Sequence, residues 1–303
     1  MSNVTAAQKL AQLFVHIEGA YAPNTIRAYK ADMTEFLRYC TENSICTLPA
    51  DPVDIAKFLL ATMSNGIKSA TIRRKVASIS AVHRLSNFED PTKHPEVKLC
   101  VRKINRQLGS RFDQAYPVTR NMLDKLLAVC GDDLRGLRNK ALLLLAYDSM
   151  RRRAELVSLR VEDIQMSDEG KCSILLRKSK TDQISSGHWI HLSLETTVAL
   201  KNWMRAANIS EGFILRGIHT GNRTCPEIGA SQVSRIFKSL ARDADLNDEV
   251  VKGISGHSMR VGAAQDLLTR GASLPQIMVK GGWSKTDTVM RYIQKVRPHN
   301  SMF

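Results

Sequence analysis

Two arginines, a lysine, a histidine, a tryptophan and a tyrosine in the C-terminal part of this chain could between them hold a phosphodiester and attack it. His257 and Arg260 stand three residues apart in GHSMRVGAA, a spacing that puts both on one face of a helix. Trp283 and Tyr292 follow in GGWSKTDTVMRY, and Arg152 (SMRRRAEL) and Lys180 (RKSKTDQ) lie upstream. A phosphodiester resists attack because its negative oxygens repel nucleophiles and an alkoxide is a poor leaving group. Arg152 and Arg260 can each present a planar pair of permanently charged N–H donors to the non-bridging oxygens. His257 and the indole N–H of Trp283, a donor with no acceptor capacity, add donors to a phosphorane-like transition state. Tyr292 supplies the attacking oxygen. The scheme needs no metal and no cofactor.

Singly, each residue has an ordinary structural use: Tyr292 and Trp283 as packing aromatics, His257 as a hydrogen-bonded core histidine, Arg152 as surface charge. Their joint order and spacing decide otherwise, because chance would have to supply several independent coincidences. The set resembles the active-site signature of the tyrosine recombinases, the phage-integrase family, which reads Arg, Lys, His, Arg, His or Trp, and Tyr. AYDSMRRRAELVSLRVEDI, GHSMRVGAA and GGWSKTDTVMRYI carry the resemblance. It spans nearly the whole chain and is most specific in residues 141–164 and 253–293.

The resemblance implies a 3′-phosphotyrosyl intermediate, with Lys180 protonating the departing 5′-hydroxyl. Since the ester keeps the bond energy, a 5′-hydroxyl from another strand can reverse the step without ATP. The family pattern also chooses among three adjacent arginines, placing the catalytic one three residues before an acid. That selects Arg152, with Glu155 supporting it from behind, although a carboxylate in the first turn of a helix is also favoured by the dipole alone. Arg151 and Arg153 are then phosphate or packing contacts and are assigned to DNA binding. The implied partner is double-stranded DNA bearing inverted-repeat sites. The implied assembly is a homotetramer on two such sites, monomeric or weakly oligomeric when free, exchanging strands through a Holliday junction. A type IB topoisomerase would use the same Arg, Lys, Arg and Tyr chemistry, but Trp283 in its GGW context argues against it. A catalytically inactive DNA-binding regulator would have no use for the nucleophile.

Composition agrees with a polyanionic partner. The formal net charge is +15 and the pI near 9.7, and a surface that basic repels itself unless phosphates or counterions neutralise it. Six cysteines show no CxxC pair and no zinc-type Cys/His spacing, so reduced thiols in a cytoplasmic compartment are expected. That fits a bacterial, phage or plasmid protein associated with the nucleoid. ALLLLAY at 141–147 is too short to span a bilayer and reads as a buried helix, so no membrane partner is expected. No secretory leader is evident.

The elements that must position these residues point to a mainly α fold with a small β-hairpin or sheet (α+β). At 303 residues two domains are the natural division: a helical, DNA-binding core-binding domain over 1–107, a linker over 108–117 and a catalytic domain over 118–303. In the first domain Asn24 is a candidate N-cap for a helix carrying Ile26, Tyr29, Met33, Phe36 and Leu37. A second helix is expected over about 53–63. A third opens near Ser69, burying Ile72, Val76, Ile79 and Val82 and presenting Arg73, Arg74 and Lys75 to DNA. Thr119 is a candidate N-cap at the start of the second domain. Residues 174–176 and 189–192 read as the arms of a hairpin whose connection, KSKTDQISSG, carries Lys180. Ser273 with Gln276 forms a capping box, Gly271 and Gly281-Gly282 end helices, and Ser284 or Thr286 is expected to cap the helix presenting Tyr292. Only IQKVRPHNSMF follows that tyrosine, with Met302 and Phe303 as candidate anchors to a neighbouring protomer.

Overall fold

The computed structural model describes residues 3–109, 114–178 and 187–294. The chain divides into two compact units, 1–113 and 114–303. The described residues are mainly helical with one small sheet. None of their helices is long and apolar enough to cross a membrane. None of the six cysteines forms a disulfide.

The first unit consists of α1 (Asn3–His16), α2 (Pro23–Glu42), α3 (Pro52–Ser64), α4 (Ser69–Leu85) and α5 (Pro95–Leu108), with a 3₁₀ turn at Pro91–Lys93. Apolar residues at helical spacing on α2 (Met33, Phe36, Cys40), α3 (Ile55, Leu59), α4 (Ile72, Ile79, Val82) and α5 (Val97, Ile104) meet in one core. The expected cap of α2 is displaced. Pro23 occupies the first turn behind Ala22, because proline has the helical φ already and no N–H to satisfy. Asn24 therefore lies inside the helix, where its Oδ1 accepts from Arg27 instead.

The basic cluster on α4 is corrected in one member. Lys75, expected on a DNA-facing surface, is buried, with Nζ 2.5 Å from Glu35 Oε2 and 3.7 Å from Asp32 Oδ1 on α2. Its position three residues beyond Ile72 turns it inward, where the buried Asp32 and the partly exposed Glu35 of the facing helix receive it. Asp32, itself buried, also accepts from Ser78 at 2.7 Å and from Arg74 at 2.8 Å, so one carboxylate ties α2 to α4. Arg74 remains half exposed.

The second unit begins on an extended segment whose Tyr116 and Val118 amides donate to the carbonyls of Gly253 and Ser258. It continues through α6 (Arg120–Ala128), with Thr119 in the N-cap position but making no side-chain cap bond, α7 (Leu134–Ser149) and α8 (Arg153–Val157). The run Leu142–Ala146 within α7 is buried on every side and packs against Trp203, Phe237 and the sheet, each leucine contributing about 1.5–3 kcal/mol of burial. The sheet is antiparallel, β1 (Ile164–Met166), β2 (Cys172–Leu176) and β3 (His188–His191) in that order. Ile174 pairs with both Ile164 and Ile190, and alternate residues Cys172, Ile174 and Leu176 face the core. The expected hairpin is β2–β3; strand β1 was not anticipated, since three residues of IQM carry no readable alternation.

The remaining helices are α9 (Leu194–Ala206), α10 (Ala230–Asp243), α11 (Asp248–Gly253), α12 (Ser258–Thr269), α13 (Leu274–Gly281) and α14 (Thr286–Ile293). The Ser273–Gln276 capping box opens α13, and Gly282, left-handed at φ +62°, closes it. The cap of α14 is corrected: Lys285 occupies the position with no side-chain bond, and Thr286 is already helical. A separate small core of Met150, Ala263, Ala264, Ile277, Trp283, Val289 and Ile293 joins α12, α13 and α14.

Removing the shared carboxylate with Asp32→Ala leaves Lys75 buried without its inner partner and is expected to destabilise the full-length chain by about 3 kcal/mol. Arg74→Ala should cost under about 1 kcal/mol because that cation is half solvated. Chemical denaturation of both variants checks this; equally small losses would show that Lys75 reaches solvent unaided.

Candidate active site

Arg152, His257, Arg260, Trp283 and Tyr292 come from four stretches of chain, and the geometry brings them together. The first is delivered by the end of α7. Met150 closes that helix in the left-handed region (φ +53°, ψ +28°), a conformation that costs a non-glycine residue energy and tends to sit at working sites. The turn leaves the Met150 carbonyl accepting from Arg260 Nη1. Two residues on, Arg152 caps α8 and lies half-buried. Glu155, buried one turn into that helix, accepts from the Arg152 backbone N–H at 3.0 Å and from its Nη1 at 2.7 Å. The capping and supporting readings of Glu155 are thus the same contact. Burial works against the Glu155 charge, but the bonds from Arg152 and the nearby Arg260 outweigh it and hold the carboxyl below its usual range.

Arg260 is 1% exposed. Its guanidinium carbon lies 4.0 Å from the centre of the Trp283 ring, a cation–π geometry. His257 occupies the N-cap position of α12, one turn before Arg260, and remains open to solvent. Trp283 leaves α13 through Gly281 and Gly282 and is itself buried. A Cβ at Gly281 would run into the indole, so only glycine lets the ring fold back onto its own turn. Tyr292, half-buried on α14, has its ring 5.6 Å from that of Trp283. The Tyr292 carbonyl accepts from Gln265 Nε2 at 2.9 Å and from Gln114 Nε2 at 3.2 Å, which fastens the end of α14 to α12 and to the entry segment.

The site is rich in donors and short of acceptors. Arg260 Nη2 and Trp283 Nε1 are both sealed from solvent and have no hydrogen-bond partner among the described residues, a rare state for buried polar groups. Burial first, and the charge of Arg152 second, lower the Arg260 pKa to about 10. Although His257 keeps contact with solvent, partial desolvation of its ring first, then the charges of Arg260, Arg152 and Arg153, push it below the usual histidine value. An anion placed here would relieve all of these strains at once.

The other expected positions divide. Lys180 lies outside the described residues, as do Met302 and Phe303. Arg153 is exposed on α8, 3.3 Å from Ser234 Oγ. Arg151 is corrected: expected on DNA, it is buried, donating from Nη2 to the Lys280 carbonyl at 2.7 Å. The left-handed turn at Met150 sends adjacent side chains opposite ways, Arg152 to the site and Arg151 inward. The Met150 carbonyl was missed altogether. Nothing in the sequence marks it, because methionine is not a residue that announces a left-handed turn.

The sequence model of the phage integrase family matches residues 117–298, and that of the N-terminal SAM-like domain of phage integrases matches residues 12–88. The chain belongs to the phage integrase family. This family member is 27% identical over 293 residues to recombinase cre of Escherichia phage P1, covering 91% of this chain and 85% of that relative. It is 28% identical over 290 residues to the integrase/recombinase xerD homolog of Selenomonas ruminantium, covering 92% and 84%. Among solved structures, the XerH site-specific recombinase bound to palindromic difH substrate, a post-cleavage complex, superposes with a TM-score of 0.66 at 16% identity, over 90% of this chain and 76% of that one. A lambda integrase dimer bound to a COC′ core site gives 0.64 at 16% identity, over 94% and 76%. At such identities the likeness establishes the two-domain integrase fold.

His257 provides a direct check on the electrostatics. Its imidazole is expected to titrate below the usual histidine value in the free protein, and to move upward when DNA supplies a phosphate that offsets the flanking arginines. Histidine NMR titration with and without a half-site duplex reads both; an unchanged value on binding would mean that the phosphate sits elsewhere.

Proposed function

We propose that this member of the tyrosine recombinases, a site-specific recombinase acting on DNA, cleaves and rejoins its sites through Tyr292. The two buried donors without acceptors, Arg260 Nη2 and Trp283 Nε1, carry this reading. They lie beside the Tyr292 ring, so an oxyanion that satisfied them would hold its phosphorus near the phenol. In the proposed step the Tyr292 oxygen bonds to phosphorus and the bond from phosphorus to the 5′-oxygen breaks. Arg152 and Arg260 neutralise the non-bridging oxygens, with Glu155 fixing the plane of the Arg152 guanidinium. His257 adds a further donor to the transition state. Lys180 protonates the departing 5′-oxygen. A 5′-hydroxyl from the partner strand then reverses the step, and two such pairwise exchanges form and then resolve a Holliday junction.

Four protomers on two inverted-repeat sites, monomeric or weakly associated when free, make up the proposed assembly. Support comes from the similar proteins, XerH on a palindromic substrate and lambda integrase as a dimer on a core site. The exposed cations Arg74 and Arg153, together with Arg73, are the proposed DNA contacts. The cytoplasm, where replicating DNA is accessible, is the proposed compartment.

Trapping on a nicked suicide duplex tests the central claim. Tyr292→Phe is expected to bind DNA but form no covalent adduct, and an adduct in that variant would overturn the assignment. Arg152→Ala and Arg260→Ala should each slow cleavage by about a hundredfold or more, the usual effect of losing one preorganised donor; near-normal rates would remove the phosphate grip.

Lys180 is tested by the leaving group. Lys180→Ala should impair cleavage of an ordinary phosphodiester far more than that of a 5′-bridging phosphorothiolate, whose thiolate departs without a proton. Equal defects on the two substrates would take Lys180 out of the general-acid role.

A further inference from the structure

Arg151 is the group near the site for which the chemistry above has no use. It is 5% exposed, although it adjoins Arg152. Besides donating from Nη2 to the Lys280 carbonyl, it lays Nη1 against Gly282, where a Cβ would collide with it. Gly282 is the left-handed residue that turns α13 into Trp283. The same turn is held a second time, in the opposite sense. Lys280 Nζ reaches back to Asp148 Oδ1 at 3.0 Å, and the other Asp148 oxygen accepts from the Ser193 amide at 2.5 Å.

Residues 148–151, which lead into Arg152, and residues 280–282, which lead into Trp283, are therefore clasped by reciprocal contacts. The side chain of each partner meets the other's stretch of chain. A buried arginine is a costly way to fill space: its Nε is sealed off with no partner among the described residues, and an apolar side chain of similar volume would be neutral or better for stability. What an apolar side chain cannot provide is a charge-assisted bond, in a fixed plane, to a carbonyl in the last turn of α13.

We propose that Arg151 is a positioning residue for cleavage: by gripping the Lys280 carbonyl and the Gly282 turn, it sets the direction of the Trp283 indole N–H relative to Arg152. This rests on the donor role given to Trp283 above. Arg151 touches neither the phosphate nor the nucleophile in this scheme; it acts through Trp283 alone.

The test uses full-length protein labelled with 5-fluorotryptophan, whose three resonances (Trp189, Trp203, Trp283) are assigned by single Trp→Phe variants. In Arg151→Met the Trp283 resonance is expected to shift or broaden. The Trp203 resonance should stay fixed, since that indole donates to the Ile214 carbonyl within the main core, and so reports an intact fold. Arg151→Lys should restore the Trp283 signal in part. Single-turnover cleavage at saturating DNA should fall about tenfold in Arg151→Met with affinity unchanged, but less than about twofold when the same substitution is made in Trp283→Phe, as expected of two residues acting as one unit. A Trp283 resonance that does not move, or equal losses in the two backgrounds, overturns the proposal. If Arg151→Met disturbs Trp203 as well, Arg151→Lys decides by the same two readings. A Trp283→Phe enzyme that cleaves at the wild-type rate would instead sink the donor role of Trp283. That failure is distinguishable, because the Trp283 resonance would still respond to Arg151.

Discussion

A guanidinium almost wholly withdrawn from water is the constraint around which the catalytic unit is organised. Arg260 cannot lose its proton at any ordinary pH, even with its pKa lowered to about 10, so the fold must accommodate the charge. It does so with a backbone carbonyl on one side, from Met150, and the face of Trp283 on the other. Neither is an anion. A carboxylate there would have been the cheaper partner, but it would also have repelled a phosphate. The strained turn at Met150 and the tight Gly281-Gly282 corner are both consequences: each brings a neutral, electron-rich group up to a cation that has to keep some of its positive field for the substrate.

The one acid nearby, Glu155, is placed with matching restraint. It binds Arg152 through both oxygens, one on the backbone N–H and one on Nη1. Rigid elements do the rest. The buried α7 ends at the left-handed turn, α12 carries Arg260 and Gln265, and the small apolar core beneath the site joins α12 to α13 and α14. The larger core around Trp203 and Phe237 is built from apolar side chains, which keeps most of the stability away from the reactive cluster.

Much of this could be read from residue order, and the exceptions share a cause. Apolar spacing revealed α2, α3, α4 and α7, and the apolar runs at 174–176 and 189–192 revealed a hairpin, because burial marks the sequence. The clustering of His257, Arg260, Trp283 and Tyr292 came from a resemblance over the whole signature; no local pattern would have joined residues 257 and 292 to residue 152. Misreadings fell where a residue type has two uses. Lys75 and Arg151 look like surface cations, yet each is drawn inside by a partner far away in sequence, Asp32 and Glu35 for one and the Lys280 carbonyl for the other. Caps failed similarly: Asn24 and Thr286 suit the role, but a proline in one case and an early helical turn in the other moved the boundary by one or two residues. Backbone geometry at Met150 left no trace in composition.

The helix that carries Tyr292, the proposed nucleophile, is only eight residues long, roughly two turns, and too short to persist by itself in water. Its order is borrowed from Val289 and Ile293 in the small core and from two side-chain amides hooked onto the Tyr292 carbonyl. Disarming this enzyme therefore requires no change to any reacting group. Unwinding a peptide of that length suffices, and the free energy of such a local opening lies far below that of unfolding the domain. The tyrosine is in this sense a conditional reagent, whose availability is governed by whatever tightens or loosens three neighbouring segments.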